Sequence, residues 1–253
     1  MTDYSTYTLP NGLRMIYQFV PSKVSYAGFA VNTGSRDEEK GEEGLAHFVE
    51  HLLFKGTLRR KSWHILNRME NVGGELNAYT AKEETVIYSI FLSEHFSRAV
   101  DLMSDLILHS QFPEAEVERE TEVILDEINS YRDTPSELIY DEFENFLFGR
   151  HALGHNILGD RDTLLSFKSG DGRRFMNRHY TPSGMVFFYR GELPFIPATW
   201  ARLREEKSLC DVPRPVSMSH SIAACRSIRI RHMSWLGIGL MICSTVGARL
   251  CFC

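Results

Sequence analysis

The chain has 253 residues, 43% hydrophobic and 24% charged, enough for one large α/β domain or two small ones. With 28 basic and 33 acidic residues its formal net charge is -5. It has no basic run and no RNA-binding aromatic signature, so nothing in its composition points to nucleic acid as a partner.

The first residues, Met1 to Ser5, lack the basic and apolar regions of a secretory signal, which makes the cytoplasm the default expectation. Tyr7 to Leu9, the turn Pro10-Asn11-Gly12 and Leu13 to Tyr17 read as a β-hairpin. Val24 to Val31 is a second apolar strand, followed by an acidic, Gly-containing loop over 35–44. Leu45, Phe48, Val49, Leu52 and Leu53 recur at helical spacing, and Gly56 is a plausible stop. Ser62 to Asn71 reads as a helix with Ser62 as its N-cap. Gly73-Gly74 breaks the chain. Thr85 to Leu92 is rich in β-branched and aromatic residues and reads as a buried strand.

Ser93 to Ser110 is predicted helical, and Pro113 opens a long helix to about Tyr131. Pro135 starts another, to about Phe148. Asp162 to Tyr180 is predicted helical with an interruption near Gly170 to Gly172. Met185 to Arg190 is a final strand, and residues 195–210 are compatible with a helix. From Cys210 the chain turns Ser-, Arg- and Cys-rich. All five cysteines (Cys210, Cys225, Cys243, Cys251 and Cys253) lie there. A disulfide framework would spread its cysteines through the fold, so the main domain is expected to be independent of redox state. The nearly uncharged stretch from Met233 to Ala248 is shorter than the roughly 20 residues of a spanning helix, so a membrane anchor is not expected.

The sharpest feature is His47-Phe48-Val49-Glu50-His51. On a helix, residues 47 and 51 are one turn apart on one face, and two imidazoles so spaced can bind one metal ion. Glu50 sits beside them, where it can accept a proton from a water on the metal and pass it to a leaving amine. The order is the inverse of HExxH. A tetrahedral catalytic site needs a third protein ligand and an open position. On the predicted helix after Pro113, Glu116, Glu120 and Glu127 line one stripe. Positions 120 and 127 are seven apart and face the same way, so one can reach the metal while the other supports it. Spacing alone does not choose among these glutamates, and a Glu-rich face is usually just solvated.

Ordered blocks across residues 5–194 carry a family resemblance. They are LPNGLR, NTGSRDE, GLAHFVEHLLFKGT, MENVGGELNAYTAKEETVIY, ERETEVILDEI and FGRHALGHNILG. Together they resemble the N-terminal, metal-bearing domain of the pitrilysin/insulinase family, similar to the mitochondrial processing peptidase type. The resemblance implies an α+β fold, a mainly antiparallel sheet covered by helices, as a single half-domain over 1–209. It implies a zinc endopeptidase with His47, His51 and Glu127 as metal ligands. Glu50 and Glu120 are the expected catalytic residues, Glu120 in a supporting position. It also implies that Asn77 and Ala78 bind substrate, because the Asn-Ala segment lies along the site as an edge strand to which a peptide can add. His151 and His155 are implied to be structural, and His64, His95, His109 and His179 are expected at the surface.

Family members carry a second, metal-free domain of similar fold, in the same chain or in a partner. The chain has room for one such domain, so a homodimer or a metal-free partner is expected beside the peptide substrate. The alternative is a truncated metal-binding half-enzyme, inactive alone. Residues 210–253 match nothing expected there and read as a poorly ordered tail, as a shifted reading frame would produce.

Overall fold

The computed structural model describes residues 4–192. The predicted elements from 195 onward, the boundary between 209 and 210, the five cysteines and the apolar stretch over 233–248 lie outside the described residues.

Among the described residues six strands form one sheet: β1 (Ser5–Thr8), β2 (Arg14–Phe19), β3 (Val24–Val31), β4 (Glu75–Thr80), β5 (Thr85–Leu92) and β6 (Met185–Gly191). Their spatial order is β1-β2-β6-β3-β5-β4. Every neighbouring pair is antiparallel except β2 with β6, which is parallel. The expected α+β class with a mainly antiparallel sheet is the observed one. Its strands β3, β5 and β6 are the most buried. Phe29 on β3 meets Phe187 on β6 edge to face, with centroids 4.9 Å apart. β1 and β4 are the sheet edges.

Seven helices complete the described residues: α1 (Leu45–Leu53), α2 (Ser62–Glu70), α3 (Phe96–His109), α4 (Glu114–Arg132), α5 (Pro135–Phe148), α6 (Arg161–Ser166) and α7 (Ser169–His179). α3 lies on β3 and β5, while α1 is enclosed by α4, α7 and β4. None of these helices is long and apolar enough to cross a membrane.

Two local expectations need correction. Lys61, not Ser62, is the N-cap of α2, and no side chain caps that end. The helical region before β6 breaks at Phe167-Lys168, not at its glycines. Gly172 lies inside α7, where a Cβ would stand 3.0 Å from the Phe112 ring and 3.5 Å from Val49. That glycine marks a close approach between helices, a tertiary demand that local propensity does not reveal.

Candidate metal centre

α1 carries the HxxEH residues and is buried on nearly every side. Leu45, Ala46, Phe48, Val49, Leu52 and Leu53 are fully enclosed, and His47 is buried with them. The sequence pattern suggested a helix with one buried face. The surrounding helices instead bury most of it, and a rigid helix holds its ligands in a fixed relation.

The N-terminus of α1 has no side-chain cap of its own, and its N-cap, Gly44, has φ +94°. A Cβ on Gly44 would stand 2.6 Å from the carbonyl oxygen of Leu158, so the loop before α6 presses directly on this helix end. Glu38, from the loop before α1, supplies the missing acceptor. Its carboxylate accepts from the Gly44 N–H at 3.0 Å and the Ala46 N–H at 2.8 Å. This satisfies two otherwise orphaned donors and places negative charge at the positive end of the helix. His155 Nε2 donates to the same carboxylate at 2.8 Å. Lys82 donates to the carbonyl of His155 and lies 3.4 Å from Glu144 on α5. The FGRHALGHN segment therefore braces α1 through Glu38.

Burial pushes the Glu38 carboxyl up, against the pull of His155 and the two backbone donors. The bond to Glu38 in turn raises His155 above the ordinary histidine value. A histidine with a raised folded value lends stability that is full below about pH 6.5, its unfolded value, and is lost as pH rises through the folded one. The gap in thermal midpoint between the parent and His155→Gln is expected to narrow as pH is raised from about 6 to 9. A gap that stays constant across that range would show that His155 does not titrate against Glu38.

His47 and His51 project from one side of α1 with ring centroids 4.6 Å apart. Glu127, on α4, reaches both. Its Oε2 is 3.8 Å from His47 Nε2 and 3.6 Å from His51 Nε2. The three donor atoms all lie within 4.8 Å of one another. Tetrahedral donors about 2.0–2.1 Å from zinc stand about 3.4 Å apart. The two Glu127 distances are within a few tenths of an ångström of that spacing, and the whole group, within 4.8 Å, can close on a zinc ion by side-chain movement. Two imidazoles and one carboxylate are also a known catalytic zinc set. Burial, with the nearby His51 charge, holds His47 at about 3, so it stays a neutral imidazole as ligation requires. Glu127 is the exposed member, with 44% of its side chain accessible, and the group opens to solvent on its side.

Glu120 lies one heptad earlier on α4, and the two glutamates divide as their burial dictates. Only 7% of the Glu120 side chain is exposed, and its Oε2 meets His51 Nδ1 at 3.1 Å. It touches a candidate ligand from behind and does not enter the group of three donors. Glu116, the third of the stripe, instead pairs with Arg119 at 2.8 Å. Glu50, on α1, is half-buried. Burial raises its carboxyl, Thr80 and His51 oppose the shift, and the Glu127 charge adds to it.

Asn77 and Ala78 lie on β4, opposite Tyr88 and Ile87 of β5. β4 is the sheet edge packed against α1. Of the remaining histidines, His64 is exposed as expected. His109 is not a plain surface residue, because its Nδ1 meets the buried Asp105 at 3.0 Å. Sequence reasoning passed over Glu38, whose role depends on a loop closing back on a helix. It also passed over Lys55, although Lys55 follows His51 by one helical turn.

Residues 14–161 match the family model described as insulinase (peptidase family M16). An uncharacterized zinc protease of Bacillus subtilis (strain 168), YmxG, is 37% identical over 188 residues, covering 74% of this chain and 46% of that protein. An uncharacterized zinc protease of Mycobacterium bovis is 40% identical over 187 residues, covering 74% of this chain and 43% of that protein. The chain thus spans about half the length of the curated relatives it matches. The fold is shared with a protease from Helicobacter pylori, at TM-score 0.76 and 22% identity over 82% of this chain and 51% of that one. It is also shared with a peptidase M16 inactive domain from Pseudomonas fluorescens, at TM-score 0.71 and 17% identity over 76% of this chain and 47% of that one. The matched residues include the whole of α1 and α4, and with them His47, Glu50, His51 and Glu127. The chain belongs to the insulinase family of peptidases, peptidase family M16.

Proposed function

We propose that the chain is the metal-bearing half of a zinc endopeptidase. His47, His51 and Glu127 hold the zinc, and Glu50 takes a proton from water and delivers it to the leaving amine. The convergence of three donor atoms within 4.8 Å, from two helices 76 positions apart in sequence at residues 51 and 127, carries this reading. Zinc, when bound, lowers the pKa of a water and polarises a carbonyl. Glu50 stands outside the three donors, which leaves its carboxylate for proton transfer. Glu120 acts through His51, keeping the imidazole turned toward the metal.

Asn77 and Ala78 bind substrate through the open edge of β4. Extended peptide can add there as a further strand, and α1 lies against the same strand. Asn77 Oδ1 accepts the Ala78 N–H at 2.9 Å, a bond that an incoming carbonyl can replace. Such binding reads backbone conformation more than side chains.

A second, metal-free domain or a partner copy supplies the other wall around the peptide. The length of the relatives and the existence of an inactive domain of this fold support that arrangement. The isolated chain is therefore expected to bind one zinc and to hydrolyse peptides slowly. Groups that position a substrate carry much of a rate even when the reacting groups are intact. Hydrolysis of a quenched peptide by a sample shown monomeric by light scattering tests this. The rate is expected to be low, to vanish with chelator and to return with zinc. Cleavage indifferent to chelator would overturn the reading, and robust cleavage by a strict monomer would remove the need for a partner.

A further inference from the structure

We propose that Lys55 is a positioning residue of the metal centre, fixing the His51 imidazole through Glu120. The inference rests on the reading of His47, His51 and Glu127 as metal ligands. The observation is a continuous chain of contacts. Lys55 Nζ lies 2.7 Å from Glu120 Oε1, and Glu120 Oε2 lies 3.1 Å from His51 Nδ1. Each carboxylate oxygen thus has its own partner, and neither can turn without losing one. The Glu120 side chain is only 7% exposed, so water cannot readily replace a lost partner. The opposite nitrogen of His51, Nε2, is the one facing Glu127.

The backbone around Lys55 is itself pinned. Its N–H donates to the Leu52 carbonyl at 3.1 Å, continuing the turn of α1. Thr57 bridges to Ser110 and donates through Oγ1 to buried Asp105 at 2.7 Å. The ammonium is thus delivered from a fixed stem to the carboxylate that touches His51. Its charge stands against that of Glu120. A histidine ligand needs its outer nitrogen held by an acceptor, and that acceptor needs its own anchor. Lys55 is this anchor, and an uncharged side chain of similar length cannot replace it.

The test compares the full chain with Lys55→Met, Lys55→Arg and Glu120→Gln. Zinc affinity is measured by competition with a chromophoric chelator, the ligand field by the absorption spectrum of the cobalt(II)-loaded protein, and folding by the thermal midpoint of the metal-free protein. Lys55→Met is expected to weaken zinc binding about 10–100-fold and to shift the cobalt spectrum, with Lys55→Arg recovering most of both. Adding Lys55→Met to Glu120→Gln is expected to change little further, because the two act in series. Unchanged affinity and spectrum in Lys55→Met would overturn the role. So would full additivity with Glu120→Gln, or a fall confined to the metal-free midpoint. A parent chain that takes up no metal would instead overturn the metal-centre reading, and this role with it.

Discussion

Glu50→Gln is expected to keep one zinc per chain while lowering chelator-sensitive peptide hydrolysis roughly 100- to 10,000-fold, the usual contribution of a positioned general base. The change keeps the size and shape of a half-buried side chain on α1, so packing there should survive. It removes only the capacity to accept a proton. Glu127→Ala is the contrasting variant. It deletes one of three donor atoms lying within 4.8 Å of one another, and the two imidazoles left behind cannot close the site. Zinc affinity should fall by more than the roughly 10–100-fold typical of losing an outer partner. Metal content and hydrolysis are read on the same preparations. Undiminished hydrolysis in Glu50→Gln would dismiss Glu50 as the base. Full zinc occupancy in Glu127→Ala after dialysis would mean that another group is the third ligand.

The second large effect lies on α3. Asp105→Ala is expected to cost about 3 kcal/mol, the lower end of what breaking a buried ion pair costs. The Asp105 side chain is wholly buried and takes the Thr57 hydroxyl at 2.7 Å, His109 Nδ1 at 3.0 Å and the Arg60 guanidinium. Arg60 is mostly buried and keeps a second partner, Asp101 at 2.6 Å, which is why the lower end applies. Removing the carboxylate leaves part of that cation and two further donors without an acceptor. For a domain of this size about 3 kcal/mol corresponds to a fall in thermal midpoint of about 6–12 °C. Calorimetry on the two proteins decides it. A loss under about 1 kcal/mol would mean that the network behaves as exposed surface pairs do. Because this network holds the loop carrying Lys55, its loss should also weaken zinc binding.

Much of this protein was written locally in its sequence. The β-branched and aromatic run from Thr85 to Leu92 and the helical spacing from Leu45 to Leu53 named their elements, because a buried strand is apolar along its length and a helix gathers its apolar side chains on one face. Two histidines four apart and a glutamate beside the second declared a metal chemistry for the same local reason. What followed from distance along the chain was out of reach. The placement of β6 between β2 and β3 joins residues more than 150 positions apart. The different surroundings of Glu120 and Glu127 were invisible in their common stripe and are set by burial. One is enclosed against His51 and Lys55, while the other stands at the solvent edge within reach of both imidazoles. Gly172 reads locally as a helix breaker, yet it sits within α7, where a Cβ would press on the Phe112 ring at 3.0 Å. Glu38 gave no signal at all, since a cap brought by a returning loop has no fixed spacing to the helix it caps. Sequence fixes what each segment can be, through propensity and periodicity. Only tertiary packing decides which carboxylate is dry, which is wet and which nitrogen each one meets.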